Sequence, residues 1–309
     1  MFSFSEKNMS TVKEFNLLGF ALPSSVVAVI FFVILLSYLL TMTGNVIILI
    51  LYLIYQKIHS PMYFFICNLA IMDICYTNII VPNLLSGLLT NNKTITVVGC
   101  LTQCFLYFLV GTFEFFLLSV MSFDRYLAIC HPLRYSVIMN NRMCMQLVIT
   151  SWIGSFFTIF IPTILILRLS FCFREINHFF CDVGPLLRNS CTDTTSLQLL
   201  SFIISTILFL FLMVAIASYA KIVRTIFKIR SKSGRQRAFS TCFSHGIVVT
   251  LFFGSCMFMY VKPVNNQVSD YDKRVAVLNT IVTPLLNPYI YSLRNQVVKD
   301  MLKCATGKQ

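Results

Sequence analysis

Long stretches of this chain carry no charged side chain. Phe15 to Gln56 contains no Asp, Glu, Lys or Arg, and neither do Thr94–Phe113, Met143–Leu167, Thr194–Ala220, Ala238–Val261 or Val275–Leu293. A helix needs about 20 apolar residues to cross the hydrocarbon of a bilayer, and each of these six stretches is that long or nearly so. A further apolar run, about Pro61 to Leu85, holds a single acid, Asp73, and the run from Thr94 continues past Glu114 to the pair Asp124–Arg125. The pattern predicts an all-α membrane protein, a bundle of seven transmembrane helices.

Composition agrees. Hydrophobic residues are 57% of the chain and charged residues 11%, whereas a soluble domain is about 25% charged. The net charge of +13 takes its meaning from topology. With the N-terminus outside, the inner side holds Lys57, Arg125, Arg134, Arg142, the basic residues from Lys221 to Arg237, Arg294, Lys299, Lys303 and Lys308. That is 15 of the 24 basic residues against two of the 11 acids. Such a bias orients membrane proteins with the basic side in the cytoplasm, so the C-terminus is expected there too. The charge calls for anionic inner-leaflet lipid and a cytoplasmic protein partner rather than nucleic acid.

Three segments are expected: an extracellular stretch over 1–24, the bundle over 25–293, and a cytoplasmic tail over 294–309. No cleavable signal peptide is evident, and the first span is expected to act as an uncleaved signal. The sequon at Asn8 falls on the outer side and is a glycosylation candidate; the sequon at Asn92 lies nearer the bilayer. Arg294–Lys303 reads as a short amphipathic eighth helix, with Val297, Val298, Met301 and Leu302 toward lipid, and Cys304 beyond it is a palmitoylation candidate. Of 12 cysteines, Cys100, Cys172, Cys181 and Cys191 fall on the oxidising outer side, where four allow three pairings. A bond from Cys100 into the loop of about Arg168 to Ser196 would pin that loop over the bundle mouth.

Several motifs resemble one family. They are Gly44-Asn45, Leu69-Ala70-Ile71-Met72-Asp73, Pro61-Met62-Tyr63-Phe64-Phe65, the run Met121-Ser122-Phe123-Asp124-Arg125-Tyr126 through Tyr135, Arg237 to His245, and Pro284-Leu285-Leu286-Asn287-Pro288-Tyr289-Ile290-Tyr291. In this order and spacing they resemble the odorant receptors, a branch of the rhodopsin-like G-protein-coupled receptors. The outer loop His178-Phe179-Phe180-Cys181-Asp182, with Pro185 and Cys191, is similar to the tetrapod-type branch. Departures are small: Ser122-Phe123 stands where Ala-Tyr is usual, Arg237 where Lys is common, and Phe253 where a Tyr is common. With the resemblance goes the pairing Cys100–Cys181 and Cys172–Cys191.

The resemblance also implies roles. Asp124 would restrain Arg125 at rest, since an unpaired Arg is costly in a membrane. On activation Arg125, within Asp124-Arg125-Tyr126, would meet a heterotrimeric G protein of the stimulatory, olfactory type. Tyr219 and Tyr291 would stabilise the opened inner cavity, and Pro288 beside Asn287 would give the last span a hinge. A plain helix-end ion pair is the simpler reading of Asp124–Arg125. Asp73 and Glu114 cannot both be ionised side by side in low dielectric without a cation between them. The resemblance implies a sodium-like site there, with Asn45 and Asn287; a proton path or a hydrogen-bonded structural pair is the alternative. No other cofactor is expected.

The resemblance also implies where the ligand sits, in the outer half between the third, fifth, sixth and seventh spans, among Cys104, Tyr107, Phe108, Gly111, Thr112, Ile203, Ile204, Ile207, Phe253, Met257, Tyr260, Val277 and Thr280. Cys104, Phe108, Gly111 and Thr112 share one helical face by spacing. The set is apolar with a few hydroxyls and no charge, which predicts a small neutral odorant and disfavours an amine. A carboxylic acid is less excluded, because Lys262 and Lys273 lie near the mouth. Enzymatic work is not expected, for lack of a nucleophile–base set or a zinc spacing. A transporter would fit seven spans with buried acids, but no inverted repeat supports it. Receptors of this kind often need accessory trafficking proteins.

Overall fold

The computed structural model describes residues 12–20, 23–90, 92–260 and 270–292. Asn8, the predicted eighth helix, Cys304 and Lys262 lie outside the described residues. The helices are α1 (Ser24–Ile54), α2 (Pro61–Thr90), α3 (Val97–Cys130), α4 (Pro132–Ile138), α5 (Asn141–Leu167), α6 (Val183–Arg188), α7 (Thr195–Lys228), α8 (Lys232–Tyr260), α9 (Asp270–Val277) and α10 (Thr283–Ser292). A π-helical turn, Leu278–Val282, joins α9 to α10 into one column. Helices α1, α2, α3, α5 and α7 are long and apolar enough to cross a membrane. In α8 a basic start precedes a shorter apolar part, His245–Tyr260.

Local chemistry accounts for where these helices start. Thr96 Oγ1 accepts the N–H of Gly99 at 3.1 Å and opens α3. Asn140 Oδ1 accepts the N–H of Met143 at 2.9 Å and opens α5. Both are side-chain caps for otherwise orphaned backbone donors. Pro132 begins α4, at the position where its missing N–H is harmless. Within the long helices, hydroxyls bond back to their own backbone: Thr41 to Ser37 O, Thr77 to Asp73 O and Ser155 to Ser151 O. This satisfies them where no water is available.

The packing centres on α3, which touches α2, α4, α5, α7 and α8. Its buried face carries Phe113, Phe115, Leu117 and Leu118. Phe113 stacks on Trp152 of α5 with ring centroids 4.2 Å apart, and Phe115 meets Phe253 of α8 edge-on at 4.3 Å. The outside is apolar too: Phe32, Leu53, Phe202 and Val214 are each more than half exposed. An apolar belt of this kind is the surface lipid covers. In the π turn Leu278 O accepts the backbone N–H of Thr283, five residues on, and its hydroxyl at 3.0 Å as well; Pro284, which has no N–H to give, follows directly. The wide turn leaves Asn279 and Thr280 buried inside the bundle.

One part of the all-α expectation needs correction. Three short strands, β1 (Glu14–Leu17), β2 (Thr94–Thr96) and β3 (Glu175–Ile176), form a sheet in the order β2-β1-β3. β1 runs antiparallel to β2 and parallel to β3. Phe15 and Leu17 are buried while Glu14 is exposed, an alternation of period two concealed inside the charge-free run from Phe15. Beyond the helix ends the backbone must pair its polar groups, and these segments pair with one another.

The column α9–α10 approaches α1 at Gly44, where a Cβ would meet Pro288 Cγ at 3.0 Å and Pro288 Cβ at 3.1 Å. Gly44→Leu is therefore expected to destabilise the protein by about 1–3 kcal/mol through overpacking, seen as a lower thermal unfolding midpoint of the purified protein. A variant that melts like the parent would show that α1 can move away at no cost.

Candidate functional site

A cavity of about 480 Å³ opens between α3, α5, α7, α8 and the loop that carries α6. That is within the size range of small-molecule sites, about 300–1,000 Å³. Cys104, Tyr107, Phe108, Gly111, Thr112, Ile204, Met257 and Tyr260 of the expected set line it. Ile203 and Ile207 do not: they are 46% and 49% exposed on the outer face of α7. The lining face of α7 is Gln198, Ser201, Ile204, Ser205 and Leu208. Phe253 is buried against Phe115 behind the cavity, and Phe252 lines it instead. Val277 packs on the core, and Thr280 bonds Ala276 O at 2.8 Å; neither reaches the cavity wall.

One wall is polar. The hydroxyls of Tyr107 and Tyr260 stand 3.2 Å apart, and Asn279 Nδ2 reaches Tyr76 Oη at 3.5 Å and Cys256 Sγ at 3.7 Å. The remaining wall is apolar, with Leu101, Phe105, Ile159, Pro162 and Ile166 from α3 and α5. Over the mouth lies the loop, joined by Cys100–Cys181 with Cα atoms 5.4 Å apart, and closed on itself by Cys172–Cys191 at 5.5 Å. Gln103 Oε1 accepts the N–H of Cys181 at 3.0 Å, which holds the loop against α3 a second time. This loop brings His178, Asp182 and Arg188 to the lining, and α9 brings Asp272. The expected absence of charge in the cavity is thereby corrected. Lys273 does not line the cavity; its ammonium donates to Gly19 O at 2.7 Å.

At the other end of α3, Arg125 pairs with the Asp124 carboxylate, Nε to Oδ2 at 3.0 Å and Nη2 closer still. Tyr135 of α4 donates to Asp124 Oδ1 at 2.8 Å. Tyr126 meets His131 Nε2 at 3.1 Å, and Tyr219 hydrogen-bonds His245 Nδ1, with Tyr291 beyond His245. Between the two ends, Asn287 Nδ2 donates to both oxygens of Asp73, at 3.0 and 3.1 Å. Asn45 Nδ2 bonds Thr41 O at 3.0 Å, and Pro288 packs on Gly44. Glu114 is buried close enough to Asp73 for the two carboxyl groups to interact electrostatically.

Residues 34–308 match the family described as "Olfactory receptor". Human "Olfactory receptor 6J1" is 46% identical over 296 residues, covering 95% of this chain and 85% of its own. Mouse "Olfactory receptor 6E1" is 47% identical over 299 residues, 96% of each chain, and human "Olfactory receptor 6C4" is 44% identical over 304 residues, 98% of each. The chain belongs to the olfactory receptor family. It is therefore a multi-pass receptor of the plasma membrane and not an enzyme.

Sequence reasoning missed the loop residues of this receptor's cavity and the lining face of α7. Gln198, Ser201 and Ser205, which recur at helical spacing along the first part of α7, were the available signal: in a lipid-facing helix the polar stripe is the inner one. For the loop no periodicity exists to follow. Its electrostatics are set by burial. His178 is pushed down from 6.5 to about 3 by burial and by the charge of Lys273. Asp182 is pushed up from 3.8 to about 6 by burial, while the N–H groups of Val183 and Gly184 and the charge of Arg188 oppose the shift.

The two groups act oppositely on stability. As pH falls below about 6.5 the unfolded chain protonates at His178 before the folded one, so stability is lost. As pH falls from about 6 toward 4 the folded chain protonates at Asp182 first, so stability is gained. Thermal unfolding followed between about pH 6.5 and 4 should show His178→Gln reducing the acid loss and Asp182→Asn steepening it. Both variants shifting the slope the same way would sink this assignment.

Proposed function

We propose that the chain is a seven-span odorant receptor that binds a small, neutral, mostly apolar odorant in the cavity and activates a stimulatory, olfactory-type G protein, raising cAMP. In this reading α1, α2, α3, α5, α7, α8 and the α9–α10 column are the spans. The N-terminal segment over 1–24 lies outside, residues 25–293 form the bundle, and residues 294–309 carry an amphipathic helix and tail in the cytoplasm. Asn8 is a proposed glycosylation site. Accessory trafficking proteins are proposed partners, and the inner basic rim faces anionic lipid.

The observation that carries the proposal is that one helix lines the cavity and ends in the ion pair. From Cys104 to Arg125, α3 runs roughly 30 Å at about 1.5 Å per residue. A ligand filling the cavity therefore presses on the same rod that holds Asp124 and Arg125. The pair with its Tyr135 hydrogen bond is the resting state, and Arg125 is free for the G protein once the restraint is broken. A ligand shifts this balance only by its preference for one arrangement. Tyr126, Tyr219, Asn287, Pro288 and Tyr291 are assigned to the switch.

A sodium ion is proposed at Asp73 and Glu114. The residues fit a hard monovalent cation: Asn45 Oδ1, Glu114 Oε1 and Asn287 Oδ1 are buried acceptors with no hydrogen-bond partner among the described residues. Bound there, the ion would balance the two acids and favour the resting packing. Replacing sodium by choline at constant ionic strength is expected to raise basal cAMP in the parent receptor and to leave Asp73→Asn unchanged. Equal behaviour of the two proteins would speak against the ion.

The decisive experiment is cAMP in cells expressing the chain with a trafficking chaperone and the olfactory G protein, screened against neutral odorants. A response to some odorant, lost in Arg125→Ala at equal surface level, is expected. Tyr135→Phe should raise basal cAMP severalfold, since one hydrogen bond to a charged group contributes about 1.5–3 kcal/mol. Silence at verified surface expression would overturn the receptor mechanism.

A further inference from the structure

Three residues that line the cavity keep a buried polar atom without a hydrogen-bond partner among the described residues, His178 Nδ1, Asn279 Oδ1 and Asp182 Oδ1, and of these only Asp182 is a carboxyl group. Asp182 is 9% exposed, lines the cavity, and has no hydrogen-bond partner for Oδ1 among the described residues. It precedes α6, where the N–H groups of Val183 and Gly184 favour its charge, yet Oδ1 takes no capping hydrogen bond. No ion pair with Lys or Arg forms there among the described residues; the Arg188 Nε donates to Gly184 O at 3.3 Å instead. A buried acceptor left in this state costs free energy, about 1–3 kcal/mol and more for a charged group. Such a group is stabilised when something else supplies the donor.

The surroundings say what that donor is. Asp182 lies within electrostatic reach of Cys104, Tyr107 and Tyr260. The Tyr107 and Tyr260 hydroxyls bond each other, which uses one of their two protons and leaves the other to give. A head group placed here meets an acceptor in Asp182 and a donor in the tyrosine pair. A hydroxyl answers both. An ether or ketone answers only the tyrosines and leaves Asp182 unpaired. An ionised carboxylate meets two acids on the lining, Asp182 and Asp272, as like charges, and the one cation among the described residues there, Arg188, already has those two acids acting on it.

We infer that Asp182 is the polar anchor of the cavity, and that it selects ligands whose head group is a hydrogen-bond donor, an alcohol or phenol, against ionised carboxylates and acceptor-only heads. The inference rests on the cavity being the ligand site, and it narrows the sequence-based expectation of a neutral ligand, from which a carboxylic acid was less excluded than an amine. The disulfide Cys100–Cys181 makes the selection possible, because it fixes the residue before Asp182 to the top of α3.

The test is binding, measured as ligand-induced thermal stabilisation of the purified full chain in lipid nanodiscs, so it does not depend on signalling. The probes share an unbranched eight-carbon chain: octan-1-ol, its methyl ether, octanoate and octan-1-amine. Octan-1-ol is expected to stabilise at roughly tenfold lower concentration than the ether or octanoate, the worth of about one hydrogen bond. Gly111→Leu, which fills the cavity, should abolish the shift and exclude an effect on the lipid. In Asp182→Asn the amide offers N–H donors, so the ether should gain on octan-1-ol, a change of ranking that lost folding alone does not produce.

The parent protein decides even if that variant does not fold. Octanoate or ether equal to octan-1-ol, or no shift with octan-1-ol at millimolar concentration, overturns the inference. A stronger shift with octan-1-amine than with the alcohol overturns the alcohol assignment in favour of an ammonium. Stabilisation as predicted in a chain that never raises cAMP would defeat the proposed signalling and leave the anchor standing. Equal shifts for every probe in a chain that does signal would defeat the anchor alone.

Discussion

Inside a bilayer no water is present to bond a backbone amide, so every span must satisfy its own N–H and C=O groups. That constraint makes the long charge-free stretches helical, and it also decides where polar side chains can go. Hydroxyls such as Thr77 and Ser155 return to their own helix. Larger polar groups have to find each other in the bundle interior, as Asn287 and Asp73 do. Polar atoms in this protein therefore mark the inside, while the outside is a belt of Phe, Leu, Ile and Val against lipid.

Helix α3 organises that interior. Its N-terminal end is tied to the loop by Cys100–Cys181, its middle forms the aromatic core with Trp152 and Phe253, and its C-terminal end carries Asp124 and Arg125. Cavity and ion pair are thus two ends of one packed rod, and packed interiors transmit displacement because they are close to incompressible. The sheet β2-β1-β3 and the Lys273 bond to Gly19 fasten the segment before α1 to the same mouth. The loop over the cavity is held by covalent bonds, backbone pairing and Gln103 at once, which keeps Asp182 in place.

The spans were legible because a long apolar run has few alternatives to a helix. Half of the cavity was legible because α3 is buried on several sides, so almost any outward turn of its face meets another helix. On α7 the same reasoning chose Ile203 and Ile207, which face lipid. A helix with lipid on one side and protein on the other is apolar on both, so hydrophobicity carries no phase; Ser201 and Ser205 carry it instead. Strand β1 was hidden for a similar reason. Its alternation of Phe15 and Leu17 with polar neighbours is too short to stand out at the head of a charge-free run.

By itself, then, the sequence determined that the chain is a helical membrane protein of the olfactory receptor family, with an acid–arginine pair at the end of one long apolar run and two further acids, Asp73 and Glu114, inside such runs. These follow from local rules, transfer of apolar residues into hydrocarbon and motifs at fixed spacing, which need no knowledge of neighbours. Only the tertiary structure decided which face of each helix lines the cavity, that Tyr107 and Tyr260 share a hydrogen bond, and that Asp182, far along the chain, lines the same cavity with a carboxylate oxygen that has no hydrogen-bond partner among the described residues. Those depend on helix rotation and on a loop held by a disulfide, and both are settled by packing between segments that are remote in sequence.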